Sequence, residues 1–199
     1  MLTVEATIDE IHDFWFGELD ENGLCTSERN SLWFGASADT DSACRARFGG
    51  ALAQALRGEL DHCAQTDRGL VALVVLLDQF SRNIHRGTPQ AYAGDPQALA
   101  LAQEAMRSGR HLRLPLMHRL FLYLPLEHCE DLAVQEQCVA LFEALAQTTG
   151  LPQFADFVRY SSAHRDVIAR FRRFPHRNPI LGRASTEAEL AWVAERGGF

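Results

Sequence analysis

The sequence has no lysine, no closely paired cysteines and no long apolar run. All 19 basic residues are arginine, a side chain that keeps its charge when buried and binds carboxylates or phosphates through two hydrogen bonds at once. The longest apolar run, residues 70–77, has eight residues, whereas a membrane-spanning helix needs about 20. We therefore expect no membrane-spanning segment and no membrane partner.

Positive charge is also scarce relative to negative charge. The formal net charge is −7, so the protein as a whole repels nucleic acid. The five cysteines are odd in number and lack the two-residue spacing of zinc and redox motifs, which favours reduced thiols. The N-terminal residues lack the basic start and apolar stretch of a signal peptide. These absences predict a cytoplasmic protein that binds no nucleic acid and needs no metal or cofactor.

Helix signals recur along the chain, whereas no segment alternates convincingly like a strand. Capping boxes at Thr7 with Glu10 and at Thr186 with Glu189 predict the starts of the first and last helices. Residues 70–77 suit either a buried strand or a buried helix. We predict a helix there, because a lone strand would leave its backbone groups unpaired.

Other helix boundaries follow from single residues. Asp95 precedes a proline and predicts a capped helix start, and Asp131 predicts another. Gly109 and Gly150 are placed to end the helices that follow from these starts. The sequence thus predicts a single all-α domain over residues 1–199, with about eight helices packed as antiparallel pairs.

Three clusters of polar residues are unusual for a purely apolar core. The first contains Asp78, Arg82 and Asn83, directly after the apolar run, where Arg82 is placed to form a helical ion pair with Asp78. The second is the acidic segment 127–131, in which His128 and Glu130 are candidates for acid–base chemistry. Helix packing and helix capping are the alternative explanations for these two clusters.

The third cluster is rich in arginine. Residues 164–183 contain six arginines and a single acid, Asp166. Three interpretations stay open for it: a solvated basic face, a site for a carboxylate or phosphate ligand, or internal salt bridges to the acidic segment 127–131. Its candidate functional residues are His164, Arg173, His176, Arg177 and Asn178.

Four ordered motifs resemble a known family. They are Phe-Trp-Phe-Gly at 14–17, Leu-Asp-Gln-Phe-Ser-Arg-Asn at 77–83, Tyr-Leu-Pro-Leu-Glu-His-Cys-Glu-Asp at 123–131, and Arg-Phe-Pro-His-Arg-Asn at 173–178 with Leu-Gly-Arg at 181–183. Together they resemble the bacterial family catalogued as domain of unknown function 924. The resemblance implies a helical fold similar to tetratricopeptide-repeat proteins and no established activity.

Two positions depart from the pattern of that family. Arg172 stands where the family usually has glycine, and Cys129 stands where it often has serine. A hydroxyl group at position 129 is therefore not expected to be essential. At position 172 we expect no role that needs a close approach of the backbone.

The clusters allow three functional hypotheses. In the first, they form one cleft that binds a small anionic ligand, with His128, Glu130 and His164 as catalytic residues. The ligand-binding residues would then be Asp78, Arg82, Asn83, Arg173, His176, Arg177 and Asn178. In the second, the helices present a groove to a peptide or protein. In the third, the clusters are buried ion-pair networks that specify the fold.

Overall fold

The computed structural model describes residues 4–198, and these residues confirm the all-α fold class. Within them the only β structure is a single bridge between Leu19 and Cys25. By its internal contacts the chain divides into two compact units. The first unit is Met1–Arg86 with Gln90–Pro125, and the second is Gly87–Pro89 with Leu126–Phe199. The single domain and the tetratricopeptide-like arrangement stay predictions.

The helices follow one another with short connections. Their bounds are α1 Val4–Trp15, α2 Asn30–Phe34, α3 Ala38–Leu56, α4 Asp67–Val75, α5 Ser81–Ile84, α6 Asp95–Arg107, α7 Leu116–Glu127, α8 Leu132–Thr149, α9 Pro152–Phe171 and α10 Glu187–Arg196. Single 3₁₀ turns occupy Asp61–Gln65, Pro89–Tyr92, Arg110–Arg113 and Pro175–Arg177, and one π-helical turn occupies Leu76–Phe80.

The core of the first unit is aromatic. Trp15 packs edge-on against Phe80 and Phe121, with ring centroids 5.3 and 5.6 Å apart. Phe48 of α3 stacks on Phe80 at 4.6 Å. Such pairs bury large apolar areas in specific orientations. The apolar run 70–77 forms α4 and the start of the π-helical turn and is buried throughout, so the helical interpretation of that run is confirmed.

The π-helical turn inserts an extra residue between α4 and α5, and this places Asp78 inside the unit. Turns of this kind are frequent at functional sites. Gly94 lies against the turn, since a Cβ at that position would collide with the carbonyl oxygen of Leu77. A side chain at position 94 would therefore displace the turn that carries Asp78.

The second unit is built on the pair α8 and α9, which pack along their length. Val167 and Ile168 of α9 pack with Phe174, which lies in the loop after that helix. Leu132 and Trp192 are partly buried hydrophobic residues packed against this core. The loop after α9 is thus fixed by Phe174, so the polar residues around it have defined positions.

Of the four predicted helix starts, those at Thr186 and Asp131 are confirmed, the start at Asp95 is confirmed without its predicted cap, and the start at Thr7 is wrong. Thr186 and Glu189 form the capping box of α10, and Asp131 accepts a hydrogen bond from Val134 N–H at the start of α8. Thr7 does not begin α1, because that helix already includes Val4. Asp95 makes no capping hydrogen bond, since its carboxylate binds Arg82 instead.

Candidate functional site

The predicted site residues fall into both units. Asp78, Arg82 and Asn83 belong to the first unit. The other seven belong to the second unit: His128, Glu130, His164, Arg173, His176, Arg177 and Asn178. The convergence of all ten residues in one cleft stays a prediction.

Asp78 is fully buried and is held by its neighbours in the first unit. Its Oδ1 lies 3.2 Å from Nη1 of Arg82, and Gln79 Nε2–H donates to Oδ2. Arg82 also donates to the carbonyl oxygen of Asp78 at 2.7 Å and binds both carboxylate oxygens of Asp95 at 2.8 and 3.1 Å. This guanidinium therefore links the π-helical turn to the start of α6, in the manner of a buried latch.

Asn83 lies one turn further along and contacts α3. Its Nδ2–H donates to Oδ1 of Asp41 at 2.9 Å, and Arg86 binds the same carboxylate through two hydrogen bonds. The hydrogen bond from Arg86 is the largest influence on the pKa of Asp41, which is lowered. Of the residues predicted to bind a ligand in this unit, Arg82 thus binds a carboxylate of α6, and Asn83 binds one of α3.

Polar residues of the second unit form what we call the arginine network, and Glu130 is at its centre. Its members are Glu127, His128, Glu130, Gln135, His164, Arg173, His176, Arg177, Asn178, Arg183 and Glu189. Glu130 accepts two hydrogen bonds from Arg183, at 2.6 and 2.9 Å, and one from the backbone N–H of Phe174 at 2.7 Å. Burial tends to raise the pKa of Glu130, but these hydrogen bonds outweigh it and the pKa is lowered. Asn178 orients Arg183 by accepting a hydrogen bond from its Nε at 2.9 Å.

Arg173 forms a second ion pair of the network. Its guanidinium binds both carboxylate oxygens of Glu189 at 2.6 and 2.9 Å, and Arg173 also donates to the carbonyl oxygen of Ala184. Arg173 lowers the pKa of Glu189 to about 2. Because Glu189 also accepts from the backbone N–H of Thr186, one carboxylate caps α10 and anchors the loop after α9.

Histidines and Arg177 form the buried part of the network. The guanidinium of Arg177 lies 4.4 Å from the ring of Phe174 and donates to the carbonyl oxygen of His128 at 3.1 Å. His164 Nδ1–H donates to the carbonyl oxygen of Tyr160 at 2.8 Å and lies 3.5 Å from Oε1 of Glu127.

Burial, together with positive charge on His128, Arg177 and His176, lowers the pKa of His164 to about 3. His164 is therefore neutral at pH 7, and its contact with Glu127 is a contact between a neutral ring and a carboxylate.

Several members of the network were not predicted as site residues. Arg183 and Glu189 make its shortest ion pairs. Gln135 is fully buried and its Nε2 donates to the backbone carbonyls of Glu127 and Cys129, which closes the C-terminal end of α7. Arg183 lies in the Leu-Gly-Arg motif at 181–183, and Glu189 lies in the predicted capping box, so a local sequence pattern marked both residues. Nothing in the local sequence distinguishes Gln135.

Arg172, the departure from the family pattern, has a structural explanation. It ends α9 with a φ of 62°, and it is the only residue other than glycine with a positive φ in the described range 4–198. Glycine is favoured at this left-handed position because it has no Cβ to collide with the backbone. The family's glycine thus fits a helix terminus, and Arg172 occupies the position at a cost in strain.

A groove lies between α9 and α10 in the second unit. Its volume is about 350 Å³, and its lining includes Phe171 and Trp192 together with Arg170 and Arg196. The two rings are arranged edge to face, with centroids 6.1 Å apart. The acids Asp166 and Glu195 also line the groove, so it combines an aromatic floor with charged side chains of both signs.

Neither a metal cluster nor a membrane span is found in the described part of the chain. No three His, Cys, Asp or Glu side chains among residues 4–198 are grouped so that they could hold a metal ion. In the same range, no helix has both the length and the apolar character required to cross a membrane.

Comparison with known proteins confirms the family. The family model described as bacterial protein of unknown function (DUF924) matches residues 11–197. A solved structure of a protein of unknown function from Agrobacterium tumefaciens is 36% identical, with a TM-score of 0.79 over 97% of this chain and 99% of that chain. No curated protein is significantly similar. The chain therefore belongs to the bacterial DUF924 family.

Proposed function

We propose that this protein binds a small anionic ligand at the arginine network of the second unit. The observation that carries the proposal is the composition of the network. Three arginines and three histidines, Arg173, Arg177, Arg183, His128, His164 and His176, face the three carboxylates Glu127, Glu130 and Glu189. The carboxylates offset the arginines one for one, so any proton taken up by a histidine adds uncompensated positive charge.

The rim of the network is where an anion would enter. Arg173, Arg183, His128 and His176 are half-buried, so solvent reaches part of each side chain. Guanidinium groups in fixed orientations bind carboxylate and phosphate oxygens through charge-assisted hydrogen bonds. Bidentate pairing with Glu130 already fixes the orientation of Arg183, so little conformational entropy is lost when the arginine gains an oxyanion ligand.

Proton uptake couples to anion binding in this arrangement. Burial and nearby positive charge hold the pKa of His164 at about 3. An anion beside the same groups opposes that repulsion and raises the pKa, so ligand and proton bind together. His164 beside Glu127 and His128 would then be able to move a proton, and this is the basis of the catalytic roles proposed for His128, Glu130 and His164.

Inorganic phosphate is a direct probe of the proposal. Titrating phosphate into the full chain should shift the imidazole NMR signals of His128, His164 and His176 saturably, since a bound anion changes the charge beside these rings. The variant His176→Gln should weaken binding roughly tenfold, the effect of one charge-assisted hydrogen bond. His62→Gln, at an exposed histidine of the first unit, is the matched control.

The structural alternative gives the opposite result. If the network only specifies the fold, phosphate produces no saturable shift, and His176→Gln and His62→Gln behave alike. Breaking an ion pair such as Arg183 with Glu130 would then lower the free energy of unfolding without changing any ligand response. That combination would reject the proposed binding site and leave the network as a fold-specifying element.

Peptide binding is a second candidate, favoured by the groove between α9 and α10. Its aromatic floor, with charged side chains of both signs beside it, suits a peptide with an apolar side chain next to polar ones. Substituting Trp192 by alanine should abolish binding of such peptides from a library, whereas Trp33→Ala in the first unit should not. Equal binding by both variants would count against this candidate.

We also propose that the protein works in the cytoplasm. All five cysteines are free thiols, as expected in a reducing compartment. Cell fractionation of the native bacterium with an antibody against the chain would test the location. Recovery in the periplasmic fraction would contradict it.

A further inference from the structure

A cavity in the first unit contains a pair of buried histidines that the proposed function does not use. Its volume is about 310 Å³, room for roughly ten water molecules at the ~30 Å³ that each occupies in the liquid. His12 of α1 and His118 of α7 line it, with exposed fractions of 3% and 5% and ring centroids 4.9 Å apart. Phe16 packs against both rings, at 5.4 and 4.7 Å.

The hydrogen bonds of this histidine pair are incomplete. His12 Nε2 lies 2.9 Å from the carbonyl oxygen of Arg68 and must carry the proton in that contact, which leaves Nδ1 as an acceptor. Nδ1 is buried and has no hydrogen-bond partner. His118 makes ring contacts but no hydrogen bond with any residue in the range 4–198. Buried polar atoms without partners are costly, and they commonly mark places that a ligand or water completes.

The charge around the cavity favours an uncharged ligand. Two carboxylates and two guanidinium groups line it, Asp13, Asp67, Arg68 and Arg113, so neither sign predominates. Arg113 binds Asp67, and Arg68 binds Asp9 at 2.8 Å, so these charges are already compensated. Burial lowers the pKa of both histidines, that of His118 to about 3, so the pair is uncharged at neutral pH.

We propose that this cavity binds a small, planar, uncharged aromatic molecule that carries an N–H or O–H group. Its ring would pack against Phe16 and His118, which offer the offset and edge contacts that aromatic rings prefer. Its N–H or O–H would donate to an imidazole nitrogen of the pair. The lining residues come from α1 and the segment after it, the start of α4, and the first turn of α7 with the segment that leads into it, and none belongs to the arginine network.

Indole and N-methylindole are matched probes, because they differ in the N–H group. We expect indole to bind the full chain saturably in calorimetry and to shift the imidazole NMR signals of His12 and His118. N-methylindole should bind about tenfold more weakly, since it leaves the acceptor without a donor. Equal affinity for the two probes would overturn the proposal.

Variants make the test independent of any one substitution. The double variant His12→Phe with His118→Phe keeps both aromatic rings and removes every imidazole nitrogen of the pair, so indole should lose its advantage over N-methylindole. Leu19→Trp fills the cavity and should abolish binding of both probes with His12 and His118 intact. His62→Phe is the control at an exposed histidine. Indole binding unchanged in both cavity variants, or imidazole shifts caused by Zn²⁺ alone and never by indole, would refute the site.

Discussion

Two histidine-containing regions of the molecule satisfy buried polar groups in different ways. In the arginine network of the second unit, Glu130 receives three hydrogen bonds and Glu189 receives hydrogen bonds from a side chain and from a helix terminus. In the cavity of the first unit, His12 keeps an acceptor without a partner and His118 is held by ring contacts. In the network, ion pairs hold the loop after α9 in place. In the first unit, the imidazoles of His12 and His118 line a cavity and form no ion pair with the residues that the structure describes.

The difference predicts unequal effects of substitutions on stability in the two regions. Removing a member of a saturated network leaves its partners buried without hydrogen bonds, so the fold loses stability. Removing a polar group that has no partner costs little stability, because no hydrogen bond is lost. Such a group remains able to bind a ligand. The predictions below test this contrast, from the largest expected effect to the smallest.

Substituting Glu130 by alanine should have the largest effect. It would strand the guanidinium of Arg183 and the backbone N–H of the buried Phe174, so we expect a loss of about 3 kcal/mol in the free energy of unfolding. Urea unfolding followed by circular dichroism measures it. Glu187→Ala, at an exposed position of the same unit, is the matched control and should change stability little. Equal losses for the two variants would contradict a stabilising network.

Acidification should destabilise both regions in the same pH range. His118 and His164 have pKa values lowered to about 3 from 6.5, so the unfolded chain binds more protons than the folded one below pH 6.5. Stability is therefore complete above about pH 7 and falls as the pH drops, by about 2 kcal/mol for each histidine at pH 5. The paired Glu189, with a pKa of about 2, should contribute its loss only below pH 4.5.

Urea unfolding at a series of pH values measures this dependence. In His118→Phe the loss between about pH 7 and pH 5 should shrink by roughly half, because one of the two strongly shifted histidines is gone. A wild-type stability that is flat over this range would show that both histidines accept protons freely in the folded state.

Relieving the strained helix end next to the network should raise stability. Arg172 has a φ of 62°, where a side chain costs about 1 kcal/mol relative to glycine. Arg172→Gly should therefore raise the free energy of unfolding by about 1 kcal/mol. Arg159→Gly, in the middle of α9, should lower it by a similar amount, because glycine is unfavourable in a helix interior. The same sign for both variants would show that position 172 is not strained.

His118→Phe should have the smallest effect on stability at neutral pH. The ring contacts with His12 and Phe16 are retained and no hydrogen bond is lost, so we expect a change within about 1 kcal/mol. Comparing the free energies of unfolding of His118→Phe and Glu130→Ala then measures the contrast between the two regions. A loss as large as that of Glu130→Ala would show that the histidine pair supports the fold.

Much of the fold could be predicted from local sequence, and the site could be predicted only in part. The capping box at Thr186 and the cap at Asp131 depend on residues close in sequence, and both predictions are confirmed. Asp95 also looked like a cap, but its partner Arg82 lies 13 residues earlier and outcompetes the backbone. Glu130 and Arg183 are 53 residues apart, and no periodicity links them.

The cavity of the first unit shows most clearly where prediction from local sequence ends. His12 and His118 come from α1 and α7, and neither carries a local signal of a site. Local sequence was enough for the all-α class, most of the helix starts and the family, because hydrogen bonds within a few residues and the apolar pattern specify them. The tertiary structure alone decided which carboxylate meets which arginine and where imidazoles stay without partners, because those contacts depend on how distant helices pack.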